Sequence, residues 1–485
     1  MNREQSLEGN AAFYGRIKMN KSDRPNILWY CTDQQRFDTI AALGYSHVVT
    51  PVVDQLVQGG VSFTHAYCQS PICTPSRSSF MTGMYPSRVH NTRNGNDTFP
   101  SSPPLITRLL ADSGYHCGLV GKFHLQSSGH RTEPRMDDGY SFWKFSHAPR
   151  DDWEEGHDYG DWVKQQGGDL DALRDHEDRV PTELHQTTWA SQRAMEFIRS
   201  REEGPWLLSV NIYDPHPPFI PPSSYANRFD PAAMPGPHFL PSDLVTQQAL
   251  EAVDFQGEAL EPEGHDARRC QALYYAMINQ IDDQFARILE TLEETGQRDN
   301  TVIIFTSDHG EMLGDHGLLQ KGCRFYEGLV RVPLILSWPG RFLEDVRRDA
   351  LVELLDLSAT IVELGGLEQP EYMQGRSLVP LLTRGEQPDE LRDFVRCEYF
   401  DALDPHFTGG EGTFATMYRD RRYKLSVYHG HGLGELYDLE QDPWEHHNLW
   451  DDPGSQQLKA RLMAASFDSH VLLTTDVGSR RIAPM

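Results

Sequence analysis

The chain is short of cations: 44 Lys and Arg stand against 71 Asp and Glu, for a formal net charge of −27. A nucleic-acid binder carries a basic footprint, so this balance argues against that partner class. An anionic ligand would have to be drawn in by a local group of cations against the field of the whole molecule. Long apolar runs are also missing. None approaches the roughly eighteen residues of a membrane span, which argues against a membrane partner. The opening stretch, MNREQSLEGNAAFYGRIKMNKSDRPN, lacks the apolar core of a secretory signal. Cysteine is sparse, with seven residues at 31, 68, 73, 117, 270, 323 and 397 and no CxxC pair. Reduced, buried thiols fit that scatter better than a disulfide framework, and a cytoplasmic location is expected. No internal repeat is evident.

What is present is the pattern of a large α/β domain with an appendage. The 485 residues, 38% hydrophobic and 24% charged, exceed what one small core serves and have the composition of a folded globular protein. Apolar runs recur, and each ends in polar residues. Asn26–Thr32 leads to Asp33-Gln34, Val61–Tyr67 to the segment around Cys73, and 115–120 to Gly121-Lys122-Phe123-His124. Likewise 206–213 leads to Asp214-Pro215-His216, and Thr301–Ser307 to Asp308-His309-Gly310-Glu311. Buried parallel strands read this way, and an open α/β sheet gathers its site at the carboxyl ends of such strands. Alternation places Lys122 and His124 on one face of an extended segment. Helices are expected from Pro51, with Thr50 as cap, and over 78–82, 187–199, 272–295 and 352–364, with a further strand over 332–338. Residues 131–185 and 220–265 read as excursions over the carboxyl edge of the sheet. From about Asp393 shorter alternating runs predict strands at 414–418, 423–427 and 435–438, then a helix over 455–469. The expected divisions are an arm at 1–22, a main domain at 23–392, an antiparallel-sheet subdomain at 393–470 and a tail at 471–485.

Cys73-Thr74-Pro75-Ser76-Arg77 resembles the Cys-x-Pro-Ser-Arg signature of the sulfatase family. Gly121-Lys122-Phe123-His124 is similar to its Gly-Lys-x-His element, and Pro215-His216-Pro217-Pro218-Phe219 to its Pro-His loop. Asp308-His309 looks like its second metal corner, and Lys321 like its second sulfate-binding lysine. These elements occur in chain order between about Asn26 and Leu449. The resemblance implies the alkaline-phosphatase-like fold, a large mixed and mostly parallel sheet sandwiched by helices, with a smaller C-terminal α+β subdomain. In one place the chain departs from the commoner pattern. Its first strand ends in Asp33-Gln34 rather than Asp-Asp, as in the branch holding phosphonate monoester hydrolases, choline sulfatase and some cytoplasmic sulfatases. A glutamine amide oxygen still ligates a hard cation.

The resemblance further implies that a formylglycine-generating enzyme oxidises Cys73 to Cα-formylglycine, whose hydrate attacks sulfur. Asp33, Gln34, residue 73, Asp308 and His309 would hold one divalent cation. Calcium is the first expectation, and His309 also admits manganese or magnesium. Lys122, Lys321 and Arg77 would offset and orient the anionic group. His216 would protonate the departing alcohol, His124 would serve as the base that lets sulfate leave, and Asn94 would contact the transferred group. The implied reaction converts a small anionic sulfate monoester, a sulfated carbohydrate or another organic sulfate, to alcohol and sulfate. Homo-oligomerisation is left open. A phosphonate monoester or phosphodiester hydrolase is the competing enzyme, favoured by the Gln/His metal set and opposed by Lys122 and His124. A catalytically silent binding relative is opposed by the occupation of every expected catalytic position.

Overall fold

The structure, a computed structural model, describes residues 24–100, 103–127, 133–150, 156–174, 181–201, 203–384, 390–403 and 412–475. The expected arm at 1–22 lies outside the described residues, as does the tail beyond 475. Among the described residues the main sheet has nine strands. They are β1 Asn26–Thr32, β2 Val61–Tyr67, β3 His116–Gly121, β4 Tyr140–Phe145, β5 Trp206–Asn211, β6 Thr301–Ser307, β7 Arg331–Val332, β8 Leu334–Ser337 and β9 Val346–Glu353. Their order is β4-β3-β5-β1-β6-β8-β2-β7, with β9 paired to β2. The five strands from β4 to β6 are mutually parallel, whereas β8 runs antiparallel to both β6 and β2.

The central strand β1 is buried along its whole length, as its unbroken apolar run requires. Its side chains alternate between two cores. Ile27, Trp29 and Cys31 join Phe80 of the Cys73–Thr82 helix and Leu357 and Ile361 of the Asp356–Leu364 helix. Leu28 and Tyr30 join Trp189 of the Gln186–Arg199 helix and Phe285 of the Ala267–Glu294 helix. Trp29 meets Phe80 at a ring separation of 5.2 Å, and Tyr30 meets Phe285 at 4.8 Å. The result is a helix–sheet–helix sandwich of the expected class. Its register sets the site. Thr32 lies opposite Ser307, Cys31 opposite Asn211, and Gly121 opposite Asn211. The segments leaving β3, β5, β1 and β6 therefore emerge side by side on one edge.

A second sheet of four antiparallel strands follows: β10 Val395–Phe400, β11 Phe414–Arg419, β12 Tyr423–His429 and β13 Leu433–Asp438. A buried ion pair ties this sheet to the main domain: Lys424 of β12 reaches Glu327 at 3.0 Å. Just before β10, Arg392 reaches Glu353 at 2.9 Å and Asp356 at 2.6 Å.

Several expectations are corrected. The helix expected at 352–364 starts only at Asp356, because 352 and 353 finish β9, whose buried C-terminal half does not differ from a buried helix by periodicity. The strand expected at 332–338 is divided at Pro333, which has no N–H for the ladder. The helix expected at 78–82 begins at Cys73 itself. The 131–185 excursion contains β4, an edge strand of the main sheet, and β10 has no counterpart in the expectations. The closing helix, Gln456–Thr474, runs into the expected tail.

Gly121 ends β3 at φ +97°, and a Cβ there would stand 2.0 Å from the Asn211 carbonyl oxygen. Both the left-handed backbone and the close approach demand glycine. Gly121→Ala is expected to lower stability by about 3 kcal/mol. Denaturant unfolding would measure it, and an unchanged midpoint would refute this account of the strand end.

Candidate active site

Cys73 is the first residue of a ten-residue helix in which every residue is buried. Ile72 precedes it in extended conformation, and the Thr74 amide donates to Asn94 Oδ1 at 3.0 Å. Asn94 is thus spent partly on the helix start, so a contact to a ligand would fall to its NH2 end. One turn on, Ser76 donates its hydroxyl to the Asp308 carbonyl at 2.6 Å. Arg77 donates to Asp308 Oδ2 at 2.8 Å and to the Lys122 carbonyl at 3.1 Å, with Asp33 Oδ2 at 3.7 Å. The signature therefore packs its polar side chains against the ends of β6 and β3. These contacts also fix Cys73 over the end of β1.

Around Cys73 Sγ stand His309 Nε2 at 3.1 Å, Lys321 Nζ at 2.9 Å and Asp33 Oδ1 at 3.7 Å. Lys122 donates to Asp33 Oδ2. Burial and the Asp33 charge push the Cys73 thiol up, but Lys122, Lys321 and His309 outweigh them and bring it down to about 7. Burial also opposes ionisation of Asp33, yet Lys122, His216, Arg77 and Lys321 hold its carboxyl well below the usual range.

The donor set fits a divalent cation. Ligand atoms of Asp33, Cys73, Asp308 and His309 all lie within 4.8 Å of one another. His309 Nδ1 sits 2.8 Å from the Gly310 carbonyl, to which it donates, and this orients the ring with Nε2 facing the group. Gln34 is turned the same way: its NH2 donates to Glu311, so Oε1 faces inward and accepts from Lys321 at 2.8 Å. The Lys321 ammonium, 3.3 Å from His309 Nε2 as well, shows that these donors already converge on positive charge. Oxygen donors with one imidazole suit calcium, manganese or magnesium.

Two histidines flank the group. His216, partly exposed, places Nδ1 2.6 Å from the Pro217 carbonyl and its ring 4.7 Å from that of Tyr213. Burial, followed by the charges of Lys321 and Lys122, depresses its proton affinity. His124 is buried, and burial with the Lys122 charge keeps it neutral. It does not continue an extended segment, because its φ is +56°. The expected alternation of 122 and 124 is therefore corrected: β3 ends at Gly121 and the chain turns.

Three contributors escaped sequence reasoning. Glu311, within the quoted Asp308–Glu311 stretch, orients the Gln34 amide. Glu133 and His147 come from the 131–185 segment. His147 lies edge-on to His124 at 4.7 Å. Glu133 accepts three consecutive amides, from His124 at 2.6 Å, Leu125 at 2.6 Å and Gln126 at 2.7 Å. Its carboxylate thereby defines the turn that carries His124. Burial pushes its carboxyl up to about 7, against those three donors. A lone glutamate in a polar segment carries no periodic or motif signal.

A family model described as "Sulfatase" matches residues 25–367, and one described as "N-sulphoglucosamine sulphohydrolase, C-terminal" matches 314–469. The chain is 29% identical over 457 residues to an uncharacterized sulfatase, YidJ, of Escherichia coli, covering 92% of this chain and 87% of the relative. It is 28% identical over 463 residues to the choline-sulfatase of Rhizobium meliloti, covering 91% and 85%. The structure of a phosphonate monoester hydrolase from Silicibacter pomeroyi superposes with a TM-score of 0.81 at 26% identity, covering 94% of this chain and 96% of that one.

Glu133→Gln would set an amide NH2 against at least one of the three N–H donors. An activity loss of about ten- to a hundredfold, mainly in kcat, is expected from the displaced turn. The wild-type profile should also lose activity below about pH 7, where Glu133 takes up a proton, and this limb should be absent from the variant. Steady-state kinetics across pH, with circular dichroism to verify the fold, tests both. An unchanged acidic limb would overturn the assignment.

Proposed function

The chain belongs to the sulfatase family, and from that membership we propose that it hydrolyses sulfate monoesters to alcohol and sulfate, with residue 73 as the nucleophile in its formylglycine form. The observation that carries this reading is the gathering of three buried cations at one place: Lys321 on Cys73, Lys122 on Asp33 and Arg77 on Asp308. A sulfate monoester resists attack because its oxygens are anionic and its alkoxide leaves poorly. Three buried cations answer the first difficulty. Asp33, Gln34, Asp308, His309 and the oxidised residue 73 would hold the divalent ion, calcium by family expectation, which supplies Lewis-acid stabilisation of the anionic group.

His216 answers the second difficulty. In the free protein Lys321 and Lys122 help to keep its ring neutral. A bound anion offsets those cations and raises the proton affinity of His216, so the acid is armed as substrate arrives. His124, held neutral beside Lys122, is the base that takes the proton from the second hydroxyl and lets sulfate depart. Cys73 is 1% exposed, so a formylglycine-generating enzyme must act on it before the site closes.

Phosphonate monoester or phosphodiester hydrolysis is a second reading, supported by the likeness to the phosphonate monoester hydrolase fold and by the Gln34/His309 pair. A small organic sulfate, a sulfated carbohydrate among them, remains the preferred substrate class because the Lys122 ammonium pairs with Asp33 beside Cys73 and His124 belongs to the same Gly-Lys-x-His element. Parallel assays of an aryl sulfate and an aryl phosphonate monoester separate the two readings, and the larger kcat/KM should lie with the sulfate.

His216→Ala should cost about 10²- to 10⁴-fold in kcat on alkyl sulfates, whose leaving group needs a proton, and far less on 4-nitrophenyl sulfate. Equal losses on both would remove His216 from the acid role. Lys122→Ala should lower kcat/KM on either substrate by about 10²- to 10³-fold, read by initial rates on protein whose intact mass shows conversion of the Cys73 side chain.

A further inference from the structure

We infer that Asp243, His316 and His446 form a second metal site, suited to zinc, which clamps the C-terminal sheet segment to the loop carrying Lys321. The three residues come from distant parts of the chain. Asp243 lies in the Pro241–Ala249 helix, His316 in the turn Asp315–Gly317 that follows β6, and His446 in the segment after β13. One ligand atom from each falls within 4.8 Å of the others. Asp243 Oδ2 is 3.6 Å from His316 Nδ1 and 3.1 Å from His446 Nδ1. Two donors on a tetrahedral zinc with bonds of about 2.0 Å stand about 3.3 Å apart, and these two spacings bracket that value. Two imidazoles and one carboxylate are a zinc ligand set.

Supporting contacts hold the ligands in position. The Leu240 amide donates to Asp243 Oδ2 at 2.8 Å. The His316 ring stacks on Tyr326 at 3.8 Å and 15°, and the Tyr326 hydroxyl is fixed by Glu435 at 2.6 Å and Gln247 at 2.8 Å. His316 itself has φ +54°, and Glu445, beside His446, has φ +63°. Two side-chain-bearing residues in the left-handed region at one cluster mark backbone committed to aiming those ligands. Asp243 and His316 are buried, whereas the His446 side chain is 14% exposed, so an ion and a water ligand can enter from that side. The site also connects with the active site. Asp315, adjacent to His316, pairs with Arg36 at 2.8 Å, and Arg36 donates to the Glu311 carbonyl at 2.8 Å.

The full-length protein is equilibrated with zinc ion alone, and bound zinc per chain is measured by elemental analysis alongside melting temperature. Wild type, His446→Ala and Asp308→Asn are compared, the last removing a ligand of the first site. Asp308→Asn should keep one zinc per chain and a zinc-dependent rise in melting temperature, both lost in His446→Ala. Equal zinc in wild type and His446→Ala would overturn the site. Should His446→Ala not fold, cobalt(II) added to Asp308→Asn decides: intense tetrahedral visible bands support the site, and a weak six-coordinate spectrum overturns it.

Discussion

The buried ion group around Asp33 is the constraint on which the rest of this structure depends. Asp33 and Asp308 are fully shielded from solvent, and so nearly are Arg77, Lys122 and Lys321. Removing these charges from water is expensive and is tolerated only when each is paired in good geometry. The charged groups come from the ends of β1, β3 and β6, from the Cys73–Thr82 helix and from the loop carrying Lys321, so these elements must be in register before the charges are satisfied. Lys122, Lys321 and Arg77 gather beside Cys73 inside a chain of net charge −27. The cations the chain is short of are concentrated here. An anion is drawn to this one place and repelled by the surface around it.

That constraint explains the position of the Cys73–Thr82 helix. Its sequence has little amphipathic character, and its burial follows from polar side chains as much as from Phe80. Ser76 and Arg77 fasten it to the end of β6, while Asn94 takes the Thr74 amide. The nucleophilic position is thus set by hydrogen bonds from one turn of helix, and the apolar residues behind it hold that turn against β1. Chemistry and packing share the same ten residues.

Much of this was legible in the sequence, for physical reasons that differ by element. β1, β5 and β6 are buried on both faces, so their apolar runs are unbroken and their polar ends stand out; Asp33, Asp308 and His309 lie at such ends, and their role as metal ligands is implied by the family resemblance. Lys122, His124, His216 and Lys321 are expected from motif context; in the structure Lys321 contacts Cys73 and Lys122 pairs with Asp33, whereas the rings of His124 and His216 pack against His147 and Tyr213. Elements without such contrast were misread. The end of β9 and the start of the next helix share a mostly apolar stretch, broken only by Glu353 and Asp356, in which neither period stands out. β4 has side chains of intermediate exposure along its middle and sits at the sheet edge, so it resembled an excursion. The turn at His124 depends on Glu133, nine residues away, whose three amide contacts exist only after folding. No local pattern announces an acceptor for backbone donors elsewhere.

The two flanking histidines show how such a centre can give opposite tasks to the same residue type. Both are kept neutral in the free protein by burial and by the lysine charges. Lys122 weighs on both rings, but the Lys321 charge is the second-largest influence on His216 and is not among the main causes for His124. An anion bound near Lys321 therefore relieves His216 more than His124. On the proposed reading the former would gain a proton while the latter stays a base, so the substrate's own charge would divide the two tasks between rings that feel the same cations unequally.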